Sequence, residues 1–183
     1  MKRLMIVVVS LVLVMGLVGS AMAANSLKAG SKAFTVGMGN SVYDVKAYPE
    51  TGSMFNDIVD LSGKYFVANN LALLAGFGLQ SNSGDADASY FSFNVGARKY
   101  LKVADFTQFV EGKITYASVK VDPSIVDVTV FDFGLAFGAE YFLGQQFSLE
   151  GSIGVGFGSI DNAGVSDTYF GTRTMGVHAN FYF

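Results

Sequence analysis

Beyond the first thirty or so residues the chain is written in a two-residue rhythm. Apolar side chains recur at every second position through segments of about ten residues, and clusters of Gly, Asn, Asp and Ser separate the segments. Successive strand side chains point to opposite faces, so this rhythm predicts strands with one oily and one polar face. The segments place strands at Lys32–Met38, Ile58–Val67, Leu71–Gln80, Tyr90–Leu101, Thr107–Val119, Val128–Leu143, Phe147–Ser159 and Phe170–Phe183. Leu71, Leu73, Ala75, Phe77 and Leu79 share a face in the third segment, and Phe91, Phe93, Val95 and Ala97 in the fourth. The sixth aligns Phe131, Phe133, Leu135, Phe137, Ala139 and Tyr141, and the seventh Phe147, Leu149, Ile153, Val155 and Phe157.

The opposite faces hold Gly76, Gly78, Gly96, Gly134, Gly138, Gly154, Gly156 and Gly158 among Ser, Asn and charged residues. Two barrels accommodate eight such strands. A soluble barrel of the lipocalin kind turns its oily face inward around a ligand, and its outer face is dense in Lys, Glu and Thr. A membrane barrel turns the oily face to lipid and leaves a narrow interior, which suits Gly and Ser. The connections also alternate in length. Ala68–Asn70, Lys102–Phe106 and Gly144–Gln146 are tight, whereas Gly39–Asp57, Ser81–Ser89, Lys120–Asp127 and Ile160–Tyr169 are longer, as at the periplasmic and extracellular ends of a membrane barrel. The expected fold is therefore all-β, an eight-stranded antiparallel up-and-down transmembrane β-barrel, closed so that every backbone group in hydrocarbon is paired. Tyr65, Tyr141, Phe147, Phe181 and Phe183 would form its periplasmic aromatic girdle, with Lys32, Lys99 and Lys102 at the same end.

The last ten residues sharpen this. Phe183, Phe181, Ala179, Val177 and Met175 alternate with Tyr182, Asn180, His178, Gly176 and Thr174. A terminal aromatic preceded by apolar residues at alternate positions resembles the closing strand of the small eight-stranded bacterial outer-membrane barrels, typified by the OmpA transmembrane domain and OmpX. The resemblance implies that Val177, Ala179, Phe181 and Phe183 form the insertion signal read by the barrel-assembly machinery. It also implies a monomer among outer-membrane lipid and lipopolysaccharide of a Gram-negative cell, with no cofactor. The periplasmic peptidoglycan-binding domain of full-length OmpA has no counterpart in the sequence, so cell-wall anchoring is not expected.

Residues 1–23 read as a secretory signal peptide: Lys2 and Arg3, an apolar stretch from Leu4 to Val18, then Ala21-Met22-Ala23 as the cleavage site. The apolar stretch is short for a membrane helix, which needs about 20 residues. Residues 24–183 are then one barrel domain in the outer membrane. Losing Lys2 and Arg3 leaves 10 basic residues against 15 acidic ones, a formal charge of −5, which disfavours nucleic acid as a partner. With no Cys, the exported fold must hold without disulfides.

The inward face carries charge near the tight turns. Lys64, Arg98, Glu140 and Glu150 each lie three residues from such a turn, and Glu111, Lys113 and His178 come slightly higher. They are expected to form one ion network in the lower lumen, Arg98 meeting Glu111 and Lys113 facing Glu140. Glu140 and Glu150 would be adjacent like charges needing a cation or proton between them. Such a layer is either a gate or a packed plug. Buried charges must be paired in either case, and the plug is the reading that the OmpA resemblance implies.

Candidate chemistry is sparse. His178 is the sole histidine, with Asn180 two positions on. Small outer-membrane lipid A deacylases resemble this spacing but carry Ser at the second position, so the nucleophile of an acyl-transfer triad is absent. Ser152 and Glu150 face inward without an evident alignment to His178. Gly154-Val-Gly156-Phe-Gly158 alternates on one strand with no helix after it, which removes the phosphate-loop reading. No zinc pattern occurs, and Asp85-Ala-Asp87 lacks the rest of a calcium loop. No catalytic, cofactor or metal residues are assigned.

The four longer connections hold Asp44, Glu50, Asp57, Asp85, Asp87, Asp122, Asp127, Asp161 and Asp167 against Lys46 and Lys120. Such carboxylates are suited to solvated surface or to sharing divalent cations with lipopolysaccharide. The expected function is a structural or surface-adhesion role through extracellular loops above a plugged lumen. The alternative is OmpW-like binding or transport of small hydrophobic molecules, with Tyr90, Phe170, Tyr43 and Phe55 lining an upper pocket. A lipid-modifying enzyme is third.

Overall fold

The computed structural model describes residues 27–38, 60–82, 87–102, 106–122, 126–144, 146–162 and 164–183. Residues 1–23, expected to be a signal peptide, and most of the first long connection, with Asp44, Glu50, Asp57, Tyr43 and Phe55, lie outside them, as does Asp85. The eight strands are β1 Lys32–Met38, β2 Asp60–Ala68, β3 Leu71–Asn82, β4 Asp87–Lys102, β5 Phe106–Asp122, β6 Val126–Phe142, β7 Phe147–Asn162 and β8 Val165–Tyr182. Each pairs antiparallel with the next, and β1 closes on β8 from Ala33 opposite Tyr182 to Met38 opposite Val177. The expected all-β up-and-down barrel is the fold.

The rhythm of the sequence sets the two surfaces. Leu73, Phe77, Phe93, Val110, Phe133, Leu135 and Phe157 are exposed on the outside, while Phe66, Ala72, Asn94, Arg98, Glu140 and Asn180 are buried within. An exposed belt this apolar is stable only against hydrocarbon, and the closed ladder leaves no strand edge to face it. Tyr65, Tyr141 and Phe183 are exposed near the end that carries the tight turns, and the Phe147 and Phe181 rings meet at 5.1 Å.

That end is sealed from within. Phe66, Tyr100, Phe109, Phe142 and Tyr182 turn inward and form an aromatic floor, with Phe66 to Tyr100 centroids 5.7 Å apart and Phe142 to Tyr182 5.4 Å. Gly138 makes room for one of them, since a Cβ there would lie 2.3 Å from the Phe109 ring. Residues 27–31 fold across the mouth beneath. Gly30 N–H donates to the Phe66 carbonyl at 2.7 Å, and Asn70 N–H donates to the Leu27 carbonyl at 2.8 Å, which leaves the Leu27 side chain buried in the floor. Asn70 is left-handed with φ of 63°, a conformation Asn tolerates and the two-residue turn Asn69–Asn70 requires.

The other end corrects the sequence reading. The ladders of β3 to β8 continue well past the expected boundaries, and the connections Ser81–Ser89, Lys120–Asp127 and Ile160–Tyr169 shrink to the intervals between Asn82 and Asp87, Asp122 and Val126, and Asn162 and Val165. Asp87, Asp122, Asp127, Asp161 and Asp167 are thus strand residues. These extensions exchange which face is apolar, with Val119 and Val128 buried inside and Lys120 and Asp127 exposed outside, so the alternation that marks the membrane half does not run on through them. Strands of 16 to 18 residues, as in β4 to β8, rise roughly 50–60 Å along their length and about 40 Å after a barrel's tilt, against a hydrocarbon band of about 25 Å. The hairpins therefore stand clear of the membrane as sheet rather than loop.

A second correction concerns β8. Gly151 pairs with Val177 but Ile153 pairs with Thr174, so β8 carries one extra residue at a bulge. The expected unbroken alternation of Thr174 to Phe183 ends above Val177. Past the bulge the phase is reversed, with Phe170 opposite Phe157 on the outside and 74 % exposed.

Candidate functional site

The inward residues of six strands, β2 and β4 to β8, converge in one layer just above the aromatic floor. Register places Arg98 on β4 opposite Glu111 on β5, Glu140 on β6 opposite Glu150 on β7, and Glu150 opposite His178 on β8. Arg98 occupies the centre. Its Nε and Nη2 donate to Glu111 Oε2 at 2.8 and 2.5 Å, and its Nη1 and Nη2 donate to the two oxygens of Glu150 at 2.5 and 2.9 Å. The guanidinium also lies 3.7 Å over the Phe109 ring, so the floor supports the layer from below. Lys64 Nζ donates to Glu150 at 2.6 Å and reaches Glu140 at 3.4 Å, and Lys113 Nζ lies 3.0 Å from Glu111.

Glu140 and Glu150 are held as neighbours by donors common to both, Lys64 and Asn180. Lys64 bridges them, and Glu140 further accepts hydrogen bonds from the hydroxyls of Tyr100 at 2.9 Å, Tyr182 at 2.6 Å and Ser148, and from Asn180 Nδ2 at 3.2 Å. Asn180 also donates to Ser148 and Glu150, each at 3.0 Å, and accepts from Thr35 at 2.7 Å. Three cations, Lys64, Arg98 and Lys113, face three carboxylates, Glu111, Glu140 and Glu150, so the layer is neutral as a whole. Above it, the space lined by Thr35, Ser62, Asn94, Lys113, Ser152 and His178 amounts to about 10 Å³, room for about one water.

The sequence-predicted residues divide as follows. Lys64, Arg98, Glu111, Glu140 and Glu150 lie in one contact set, with His178 at its edge, its Nδ1 3.8 Å from Glu150. Lys113 does not face Glu140. It pairs within β5 to Glu111 because Lys113 is level with Gly134, whereas Glu140 is level with Thr107. Strand stagger, which sequence spacing does not reveal, accounts for the offset. Sequence reasoning missed Tyr100, Ser148 and Tyr182 as partners of Glu140 and assigned no contacts to Asn180. The signal was present, since Tyr100 and Ser148 lie two positions from Arg98 and Glu150 on the same inward face.

His178 is seated by absence of a side chain opposite: a Cβ on Gly37 would fall 2.1 Å from its Cδ2. Ser152 lines the same small space, but no hydrogen bond joins it to His178 among the described residues. Val177 and Phe183 are exposed on the outer face, with Ala179 and Phe181 partly so.

Higher in the barrel the lining changes character. The inward row Gln80, Tyr90, Val119 and Val128 crosses β3 to β6, with Ala117 and Val130 one row below. Tyr90, Ala117, Val119, Val128 and Val130 are buried, and Gln80 Oε1 is buried without a hydrogen-bond partner among the described residues. Tyr169 donates to Asp132 at 2.6 Å beneath them. Phe170, expected in this lining, is outside because of the β8 bulge.

Arg98→Met removes the shared cation and leaves Glu111 and Glu150 with excess negative charge in the interior. A loss of about 3–5 kcal/mol is expected from urea unfolding of the refolded protein. Arg98→Met with Glu111→Leu restores neutrality and should recover part of that loss; equal loss in both variants would assign the effect to packing alone.

No protein-family model and no curated protein sequence matches the chain. Among solved structures it is similar to neisserial surface protein A, at 13% identity over 84% of this chain and 94% of that one with a TM-score of 0.51. It is also similar to the N-terminal β-barrel domain of Pseudomonas aeruginosa OprF, at 12% identity over 85% and 98% with a TM-score of 0.50. Yersinia pestis outer membrane protein Ail, in a phospholipid bilayer nanodisc, aligns at 14% identity over 84% and 99% with a TM-score of 0.48. At these identities the likeness is one of architecture, and the chain has the fold of the small eight-stranded outer-membrane barrels.

Proposed function

We propose that the chain, once residues 1–23 are removed, is a monomeric, non-enzymatic outer-membrane barrel that does not conduct and that serves the cell surface, structurally or in adhesion, through its extracellular end. The observation that carries this reading is the position of Arg98, 4 % exposed, between Glu111 on the neighbouring strand β5 and Glu150 three strands away on β7. With Lys64 alongside and the aromatic floor beneath, the cross-section is filled by paired charge. A buried network whose members are all satisfied is rigid, which suits a plug better than a gate.

The extracellular hairpins support the surface role. Their outer face changes from aromatic at Phe91, Phe131 and Phe157 to polar at Ser89, Lys120, Asp127 and Asp161. A solvated sheet is thereby presented above the lipid, and the exposed Asp127, Asp161 and Asp167 are available to divalent cations shared with lipopolysaccharide. Val177, Ala179, Phe181 and Phe183 are the residues offered to the assembly machinery.

A second reading, binding of small hydrophobic molecules, is favoured by the apolar inner rows of Tyr90, Val119, Val128 and Val130 and by the unpartnered Gln80 oxygen among them. The ion layer and the aromatic floor beneath those rows fill the lower lumen, which is why the surface role comes first.

Planar bilayers holding the refolded mature protein are expected to stay electrically silent, with folding verified by heat-modifiable gel migration. Steady wild-type conductance that Arg98→Ala alters would replace the plug by a gate. Cells displaying a variant with residues 160–168 exchanged for a short turn should keep the folded barrel but lose retention on a serum-protein-coated surface; undiminished retention would remove adhesion by that hairpin. A hydrophobic fluorophore should gain no emission on mixing with the folded protein, and a gain abolished by Val130→Asp would promote the second reading.

A further inference from the structure

The oily outer wall is thinned where small residues pair, Gly63 beside Ala75, Ala139 beside Gly151 and Ala97 beside Gly112, and the last of these opens into a dent. The row Tyr65, Leu73, Ala97, Gly112, Leu135 and Val155, read across β2 to β7, narrows at its centre to Ala97 and Gly112. Neighbouring rows carry Val95, Ile114 and Phe133 above and Lys99, Val110 and Phe137 below. The result is a dent of about 540 Å³ in the lipid-facing surface, lined chiefly by apolar groups, with Lys99 at its rim. That volume falls within the range of about 300–1,000 Å³ typical of small-molecule sites.

Lys99 makes the dent more than a gap in packing. It lies opposite Leu71, the first residue of β3 after the Asn69–Asn70 turn, and so stands at headgroup level on the tight-turn side. It forms no ion pair or hydrogen bond with any described residue, in contrast to the lumen cations Lys64, Arg98 and Lys113. Within a bilayer no hydrophobic force draws an apolar partner to an apolar wall, so occupancy is decided by close packing and by polar pairing. A flexible acyl chain fills a shallow dent in a rigid sheet, and an ammonium at its foot that no described residue pairs selects an anionic headgroup.

We propose that this dent is a docking groove for one glycerophospholipid of the periplasmic leaflet. An acyl chain lies against Ala97 and Gly112, and the phosphodiester meets the Lys99 ammonium. The proposal rests on the orientation in which the tight turns face the periplasm. A second copy of the chain would also fit a wall of small residues, but a second oily wall offers nothing to the free cation.

Native mass spectrometry of the mature protein, released from detergent with phosphatidylglycerol present, tests this directly. Gly112→Leu fills the dent, and the backbone tolerates it because a Cβ at Gly112 makes only an ordinary 3.5 Å contact with Leu135. Heat-modifiable migration establishes that each variant is folded. The expected result is one retained phosphatidylglycerol on the wild type, none on Gly112→Leu, and about five-fold weaker retention on Lys99→Gln. Equal retention by wild type and Gly112→Leu overturns the groove, and equal retention by wild type and Lys99→Gln overturns the headgroup contact. A wild-type dimer lost in Gly112→Leu assigns the face to a second copy instead and also overturns the proposal.

Discussion

Everything in this molecule follows from the pairing of β1 with β8. Hydrocarbon offers no hydrogen-bond partner to a peptide group, so a sheet can live in it only by closing on itself. Closing eight strands draws the walls close enough for side chains from facing strands to touch. The inside is then a core in which charge must find its counterpart within a few ångströms. Arg98 meets that demand with carboxylates on two sides and an aromatic ring beneath, and Lys64 and the tyrosine hydroxyls complete the coordination of Glu140. Closure and the ion layer are one constraint seen from outside and inside.

The layered interior also divides labour along the axis. At the tight-turn end, aromatic residues and Leu27 exclude water from the charges, which strengthens each contact in the layer above. Midway, small inward residues such as Gly37 concede volume to a ring on the neighbouring strand. Toward the far end the lining becomes apolar while the outer face becomes polar. The extracellular third is thus built like a soluble sheet on a membrane-bound base. One continuous set of strands satisfies two solvents by exchanging which face is oily.

Most of the membrane-embedded half was legible in the sequence, because there one face always meets lipid and the alternation is strict. Phe91, Phe93 and Val95, or Phe131, Phe133 and Leu135, leave little choice of phase. The extracellular half was not legible by that signal. Around Ser118, Lys120, Asp127 and Asp161 the outer face turns polar while Val119 and Val128 turn the inner one apolar, so the rhythm changes phase and strand there looks like loop. Within the site, parity alone identified which charges point inward. It could not give the stagger between strands, and so it paired Lys113 with Glu140 rather than with Glu111. Tyr100 and Ser148 shared the inward parity, but neither is charged, and a search for ion pairs passes over hydroxyls that serve carboxylates equally well.

The extra residue in β8 deserves to be read as a change of frame. Below it the strand is phased by its contact with β1, and above it by its contact with β7 alone among the described residues. The two stretches are thereby uncoupled. Substitutions that reshape the extracellular hairpin leave the phase of His178, Asn180 and Tyr182 untouched. Deleting that residue would restore a single frame and turn Phe170 inward and Tyr169 outward, exchanging the hairpin's two faces at one stroke. The bulge is the joint that lets a surface vary on top of a base that does not.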